Sequence, residues 1–297
     1  MRSSPARRPR RRPPPAPPPA RTPERLLVVG RGNLGRSLER AFRAIGHHTS
    51  LVPGRTGFPK LPAFGIVFLA VPDQAIPEVA ASIARLGPSR RLSFVHLSGA
   101  LGLDALSALH QYPVGSFHPL QSFPAPRDPE AFRGITVAVD ASTPALMRRL
   151  RALARGVGAR PKHVDDSQRA LYHTAAVFAS NYVDVVLAKA VELLQQAGWS
   201  EKEATEGLLP LAEGALSNVR ERGPVEALTG PVRRGDVATV ERHLSALRGA
   251  PVEDLYRMLG LIALELAKEA GLEPAAARRM QRALTEKSAA TRRRRRE

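Results

Sequence analysis

Residues 25–36 constrain the fold more than any other stretch of this chain. Four consecutive apolar residues, Leu26 to Val29, suit a parallel strand covered on both faces. They run straight into Gly30-Arg31-Gly32-Asn33-Leu34-Gly35. In a Gly-x-Gly-x-x-Gly turn the first glycine, Gly30, permits the tight bend, Gly32 lets backbone approach a pyrophosphate, and Gly35 lets the next helix pack on the strand. Leu38, Phe42 and Ile45 recur behind the turn at helical spacing and Gly46 stops the helix, so the glycines sit in the strand–turn–helix context that dinucleotide binding needs. The helix start would face phosphates with unpaired N–H groups and a partial positive charge. The six residues Gly30, Arg31, Gly32, Asn33, Leu34 and Gly35 are the first cofactor-binding candidates.

The segments that follow extend this into a sheet. His48 to Val52 reads as a second strand, ending in Pro53-Gly54-Arg55-Thr56-Gly57. An NAD-binding fold usually places an acid here, about 20 residues past the glycines, to hold the ribose 2′-hydroxyl. No acid is present; Arg55 offers a guanidinium that can grip a phosphate with two donors and Thr56 a hydroxyl, which favours NADP over NAD. The alternative is an exposed loop arginine, with Arg31 as a second phosphate ligand. Gly65 to Val71 is a buried strand ending at Pro72-Asp73, and Val71 and Pro72 join the cofactor-binding set. Further strands are expected at Leu92–Leu97, Gly115–Pro119, Gly134–Val139 and Lys162–Val164, with helices at Ala75–Leu86 and Thr143–Leu153. Too few residues separate the second and third strands for a helical crossover and another strand, so the expected fold is an abbreviated doubly wound parallel sheet.

From Asp165 the pattern turns wholly helical. Asp166 or Ser167 caps a long helix expected to run through Ala197 to Gly198. Ser200-Glu-Lys-Glu203 is a capping box, Pro210 is expected to kink or divide the helix it opens, and further helices follow at about 236–248, 252–270 and 274–287. The domains expected are therefore 25–165, the α/β nucleotide-binding domain, and 166–285, an all-α C-terminal domain for substrate and dimerisation, with a cleft between the two as the place for chemistry.

Of the net charge of +18, +6 sits in residues 1–24 and +4 in residues 286–297. Residues 1–24 also hold nine of the 27 prolines, so both ends read as disordered tails, the first rich in arginine and proline and the second in arginine. Such tails can hold nucleic acid through counterion release or can simply be solvated. The absence of cysteine excludes disulfides, thiolate metal sites and thiol catalysis. No run approaches the roughly 18 apolar residues of a membrane span, and no signal-peptide core follows the first arginines, so a cytoplasmic, membrane-free protein is expected. No His-Glu-x-x-His spacing, nucleophile elbow or Walker lysine occurs, which disfavours a catalytic metal, serine hydrolysis and P-loop ATP hydrolysis.

The order of the glycine turn, Ala70-Val-Pro-Asp73, His96-Leu-Ser-Gly-Ala100, Phe117-His-Pro-Leu-Gln-Ser-Phe123, Tyr172-His-Thr-Ala-Ala176, Ala179-Ser-Asn-Tyr182 and Thr229-Gly-Pro-Val-Arg-Arg-Gly-Asp236 resembles bacterial proteins in which a Rossmann-like domain is joined to a domain of unknown function of the DUF2520 type. These are relatives of pyrroline-5-carboxylate reductase, ketopantoate reductase and the 6-phosphogluconate and β-hydroxyacid dehydrogenases. The resemblance spans roughly residues 25–285 and implies a nicotinamide-dependent oxidoreductase that dimerises through its helical domain; it implies no particular substrate.

Hydride transfer to a C=O or C=N carbon also needs a group that exchanges a proton with the heteroatom. His173 and Asn181 would share a broad face of the long helix, about 80° apart. The resemblance places His173 nearest to a lysine proton donor of the relatives and Asn181 nearest to their asparagine. His118, ahead of Pro119 at a strand exit, is the rival donor. Ser98 is a candidate for substrate or the nicotinamide amide, or a cap of its turn. Arg233 and Arg234 suit a carboxylate or phosphate. Together these residues predict an NADP-dependent oxidoreductase acting on a small keto or imino acid, or in reverse on a hydroxy or amino acid. A regulatory protein that senses NADP without turnover, and a nucleic-acid-associated protein using its tails, are the alternatives.

Overall fold

The computed structural model describes residues 23–54 and 61–286. The described chain forms two compact units that divide between Ser180 and Asn181.

The first unit is built on a seven-stranded sheet: β1 (Arg25–Val29), β2 (His48–Val52), β3 (Gly65–Leu69), β4 (Leu92–His96), β5 (Val114–Pro119), β6 (Thr136–Ala141) and β7 (Arg160–His163). Its order is β2-β1-β3-β4-β5-β6-β7. Because β1 pairs with both β2 and β3, the chain leaves it on one side and returns on the other, and the strand order reverses at the C-terminal ends of β1 and β3. The sheet is mostly parallel, as expected of a doubly wound fold; β6 alone pairs antiparallel, with β5, and β7 runs parallel to β6. The connection over 120–135 contains only a 3₁₀ turn, Pro129–Phe132, so no crossover helix carries the chain back and β6 returns alongside β5.

Alternate residues of the central strands feed two apolar layers. Leu26, Val28, Phe68 and Phe117 pack with Leu38 and Phe42 of α1 (Asn33–Ala44) and Leu146 and Leu150 of α3 (Pro144–Gly156). Val29, Val67, Leu69 and Phe94 pack on the opposite face with Ile76 and Ile83 of α2 (Ile76–Arg85) and Leu106 of the 3₁₀ segment Leu103–Leu109. The expected long helix is two. α4 (Asp166–Ala179) ends at Ser180, whose φ of −127° and ψ of −76° leave the helical region, and α5 (Asn181–Gln196) begins the second unit. Serine and asparagine are both weak helix formers, because their side chains compete for backbone groups.

The second unit continues with α6 (Glu201–Glu226), α7 (Gly230–Arg234), α8 (Val237–Ala246), α9 (Val252–Glu269) and α10 (Pro274–Thr285). The Ser200–Glu203 capping box forms. Pro210, expected to interrupt α6, lies within it; the one non-helical residue is Gly223, at φ 78° and ψ 167°, just before Pro224. A lone interior proline removes one hydrogen bond, whereas the residue before a proline is pushed from the helical region and a glycine there can leave it freely. The core of this unit joins Val240 and Leu244 to Leu264, Met280 and Leu284. Arg257, buried, pairs with Glu253 and donates to the carbonyls of Ala283 and Leu284. Among the described residues no helix is long and apolar enough to cross a membrane.

Candidate functional site

The glycine turn occupies the point where the strand order reverses. Gly30 has φ of 121°, and a Cβ on it would lie 2.1 Å from the Ala70 carbonyl oxygen; a Cβ on Gly35 would lie 2.1 Å from the Gly30 carbonyl oxygen. Strand, turn and helix thus touch through backbone, which only glycine allows. Gly32 differs: as the N-cap of α1 it makes no side-chain cap bond, and nothing lies within 4 Å of where its Cβ would be. The start of α1 is therefore open beside Gly32, and the first-turn amides of Asn33, Leu34 and Gly35 have no partner within the helix, which fits a nucleotide pyrophosphate. Asn33 turns its side chain away, donating to the carbonyls of Phe123 and Pro124 at 3.1 and 2.9 Å. Arg31 is exposed, and its carbonyl accepts from Arg36. Val71 closes the other side of the turn, its Cγ1 2.6 Å from the Cβ position of Gly54, and Pro72 beyond it is exposed. Arg55 and Thr56 lie outside the described residues, as do residues 1–22 and 287–297 of the tails; Glu24, counted with the first tail, is described and pairs with Arg149 at 2.6 Å.

A second, polar cluster forms on the sheet from β4 to β6. His96, Ser116 and Asp140 stand in one register row with Leu69, so they share its face. All three are buried, at 0%, 0% and 8% exposure. α4 lies over them through Arg169, itself only 2% exposed, whose guanidinium donates to the Ser116 hydroxyl and to Asp166 at 3.2 Å, with Asp140 at 3.8 Å. Asp140 also meets His163 at 3.1 Å. Both ring nitrogens of His96 and Nη1 of Arg169 are buried and make no well-formed hydrogen bond among the described residues. Burial, then the Arg169 charge, pull the His96 pKa down to about 4, so the ring is neutral at pH 7.

The strand exits beside this row carry the other candidates. Ser98 donates to Asp73 at 2.6 Å and accepts from the amides of Ala100 and Leu101, so its hydroxyl is engaged in holding the turn. His118 lies over Gly99, where a Cβ would come within 2.7 Å of the ring. Its Nδ1 is 2.8 Å from the Tyr172 hydroxyl, and its ring centroid is 6.4 Å from that of His173. Arg169, Tyr172 and His173 follow one another at helical spacing on the inward face of α4. Burial, then His173, lower the His118 pKa to about 4, while burial raises the Tyr172 hydroxyl to about 12.

The structure thus brings His118, His173 and Ser98 into one unit. Asn181 does not share a helix with His173: it is an exposed residue at the start of α5, in the second unit. In that unit Arg233 donates to the Ala270 carbonyl at 2.8 Å, tying α7 to the end of α9, and Arg234 is exposed. The sequence did not single out Asp73, His96, Tyr172 or Arg169, nor Ser116 and Asp140 behind them. The first three stand inside the motif strings that carry the resemblance, and Arg169 one turn before Tyr172.

Residues 135–263, which include Arg169, Tyr172 and His173, match the profile described as Domain of unknown function (DUF2520). A solved structure from Bacteroides fragilis, assigned as an NADP oxidoreductase, superposes with a TM-score of 0.70 at 26% identity, covering 82% of this chain and 98% of that one. The chain is a Rossmann-like protein with a C-terminal helical domain. A protein from Thermotoga maritima gives a TM-score of 0.66 at 22% identity over 82% of this Rossmann-like chain and 99% of its own. An NADH-preferring ketol-acid reductoisomerase from an uncultured archean gives 0.56 at 14% identity over 87% of this chain and 82% of that one. These last two likenesses concern the fold alone. No curated protein sequence matches.

Proposed function

We propose that this protein is an NADP-dependent oxidoreductase that transfers a hydride to or from a small keto or imino acid, or the corresponding hydroxy or amino acid. The observation that carries the reading is the bare, uncapped N-terminus of α1 at the reversal of strand order, in the same unit as His118 and His173. A nicotinamide bound there would supply or accept the hydride. The amides of Asn33, Leu34 and Gly35 would hold its pyrophosphate. The Ser98–Asp73 bond fixes the turn beneath His118, and His118 and His173 are the side chains placed to serve the substrate heteroatom as hydrogen-bond donor and proton source.

The name of the Bacteroides fragilis protein supports NADP, and the NADH-preferring reductoisomerase shows that a protein of similar fold can take the other cofactor. The choice in this chain is assigned to Arg55 and Thr56. Isothermal titration with NADPH and NADH tests both points. NADPH is expected to bind more tightly than NADH, and Arg55→Ala to weaken NADPH at least tenfold, about 1.4 kcal/mol, leaving NADH unchanged. Absence of binding by either nucleotide overturns the reading. Binding without turnover across a panel of 2-keto and imino acids would turn it into the NADP-sensing alternative.

A further inference from the structure

The two ring nitrogens of His118 have different surroundings. Nδ1 faces the Tyr172 hydroxyl at 2.8 Å, whereas Nε2 makes no hydrogen bond among the described residues; Gly99 packs against the ring, its Cβ position 2.8 Å from Nε2 and 3.0 Å from Nδ1. We propose that Tyr172 is a positioning residue for His118: its hydroxyl donates to Nδ1, fixes the ring as the Nε2–H tautomer, and so presents Nε2–H to the C=O or C=N of the substrate. The inference rests on the oxidoreductase reading of this site and names the group that polarises the reacting bond.

The direction of the bond follows from acidity. A phenol is a far stronger acid than a neutral imidazole N–H, so the O–H donates and the imidazole lone pair accepts. Neither partner changes charge near neutrality, with Tyr172 pushed up to about 12 and His118 down to about 4. The titratable and charged groups facing His118 are His173, Tyr172 and Arg169 from α4 and Asp73 from beyond β3; His173 and Arg169 oppose a positive charge on the ring and Asp73 favours one.

Geometry holds the pair in place. The two rings meet edge-on at 88° with centroids 5.6 Å apart, and Gly99 leaves room for His118 that any side chain would fill. Tyr172 is anchored one turn earlier on α4, where the buried Arg169 grips Ser116 and Asp166. A neutral Nε2–H aimed at a heteroatom stabilises the negative charge that develops as hydride reaches the carbon, without itself changing protonation state. No bond is made or broken at His118 in this role, and the proton that completes the reduction comes from His173 or water.

The test is long-range 1H–15N correlation NMR on protein labelled with 15N-histidine, from pH 5 to 8, with His118→Asn identifying the signals. Wild type is expected to show His118 as the neutral Nε2–H tautomer throughout, and Tyr172→Phe a mixture of tautomers whose titration midpoint moves up toward the ordinary histidine range. An Nδ1–H tautomer, or an imidazolium at pH 7, in the wild type overturns the proposal whether or not Tyr172→Phe folds. NADPH titration separates this outcome from the reading beneath it: no nucleotide binding with an Nε2–H tautomer removes the oxidoreductase function and leaves the pair standing. On pyruvate or whichever 2-keto homologue the wild type reduces, Tyr172→Phe is expected to lower kcat at least tenfold with KM changed less than twofold. An unchanged kcat overturns the assignment of Nε2–H to the substrate.

Discussion

At the end of β4 a histidine sits where a histidine is costly. His96 has no exposed surface, its ring nitrogens make no well-formed hydrogen bond among the described residues, and the Arg169 guanidinium lies close by. Its folded-state pKa of about 4 lies below the ordinary 6.5. Between those values the unfolded chain binds a proton that the folded chain does not, so stability falls as pH falls through that window and levels off below about pH 4. A single group shifted this far costs about 2 kcal/mol between pH 7 and pH 5, and His118, shifted the same way, adds to it. Urea unfolding at pH 7 and pH 5 should show the loss, and His96→Asn should remove roughly half of it or more; a wild-type midpoint that does not move with pH rules this account out. The same residues show what a sequence can disclose. His118 and His173 could be singled out as candidates because one precedes a proline at a strand exit and the other sits in a helical motif. Asp73, Tyr172 and Arg169 were not, because each acquires its meaning from a partner 25, 54 and 53 residues away.

Among the elements, the glycine turn offers a contrast within one loop. At Gly35 an added methyl would strike the Gly30 carbonyl at 2.1 Å, whereas at Gly32 it would meet nothing. Gly35→Ala is therefore expected to lower the thermal midpoint by several degrees, since a 2 kcal/mol loss moves a domain of this size by roughly 4–8 °C. Gly32→Ala should cost at most about 1 kcal/mol yet weaken NADPH at least tenfold, by intruding where the pyrophosphate meets the helix. Equal effects of both changes on folding, or an intact nucleotide affinity in Gly32→Ala, would refute the division of labour. The turn and most strands were legible because apolar period and glycine spacing are local. The antiparallel β6, the break at Ser180 and the unbroken passage of α6 through Pro210 were not. Each depends on where the chain goes next, which weak helix formers at 180–181 or a lone proline permit but do not by themselves decide.

For the whole molecule the long helices of the second unit need a cover. α5 has no fully buried residue and α6, the longest helix described, has only Ala204. Yet α6 presents Leu209, Leu211, Leu216 and Val219 at 44–71% exposure, and α5 adds Val185 and Val186. Two long helices packed on each other without a core of their own leave an apolar surface of the kind that marks an interface. The proposed occupant is a second copy of the chain, since an isologous interface lets one apolar face cover its own duplicate. Light scattering coupled to gel filtration should then give about twice the 32.1 kDa chain mass. Leu211→Glu with Leu216→Glu should shift the protein to monomer and lower its thermal midpoint, because the change places charges where apolar contact is needed. NADPH binding at the α1 turn, in the first unit, should persist in that variant. A monomeric wild type, or a doubly substituted protein that remains dimeric with unaltered stability, would show that these helices are covered by something else.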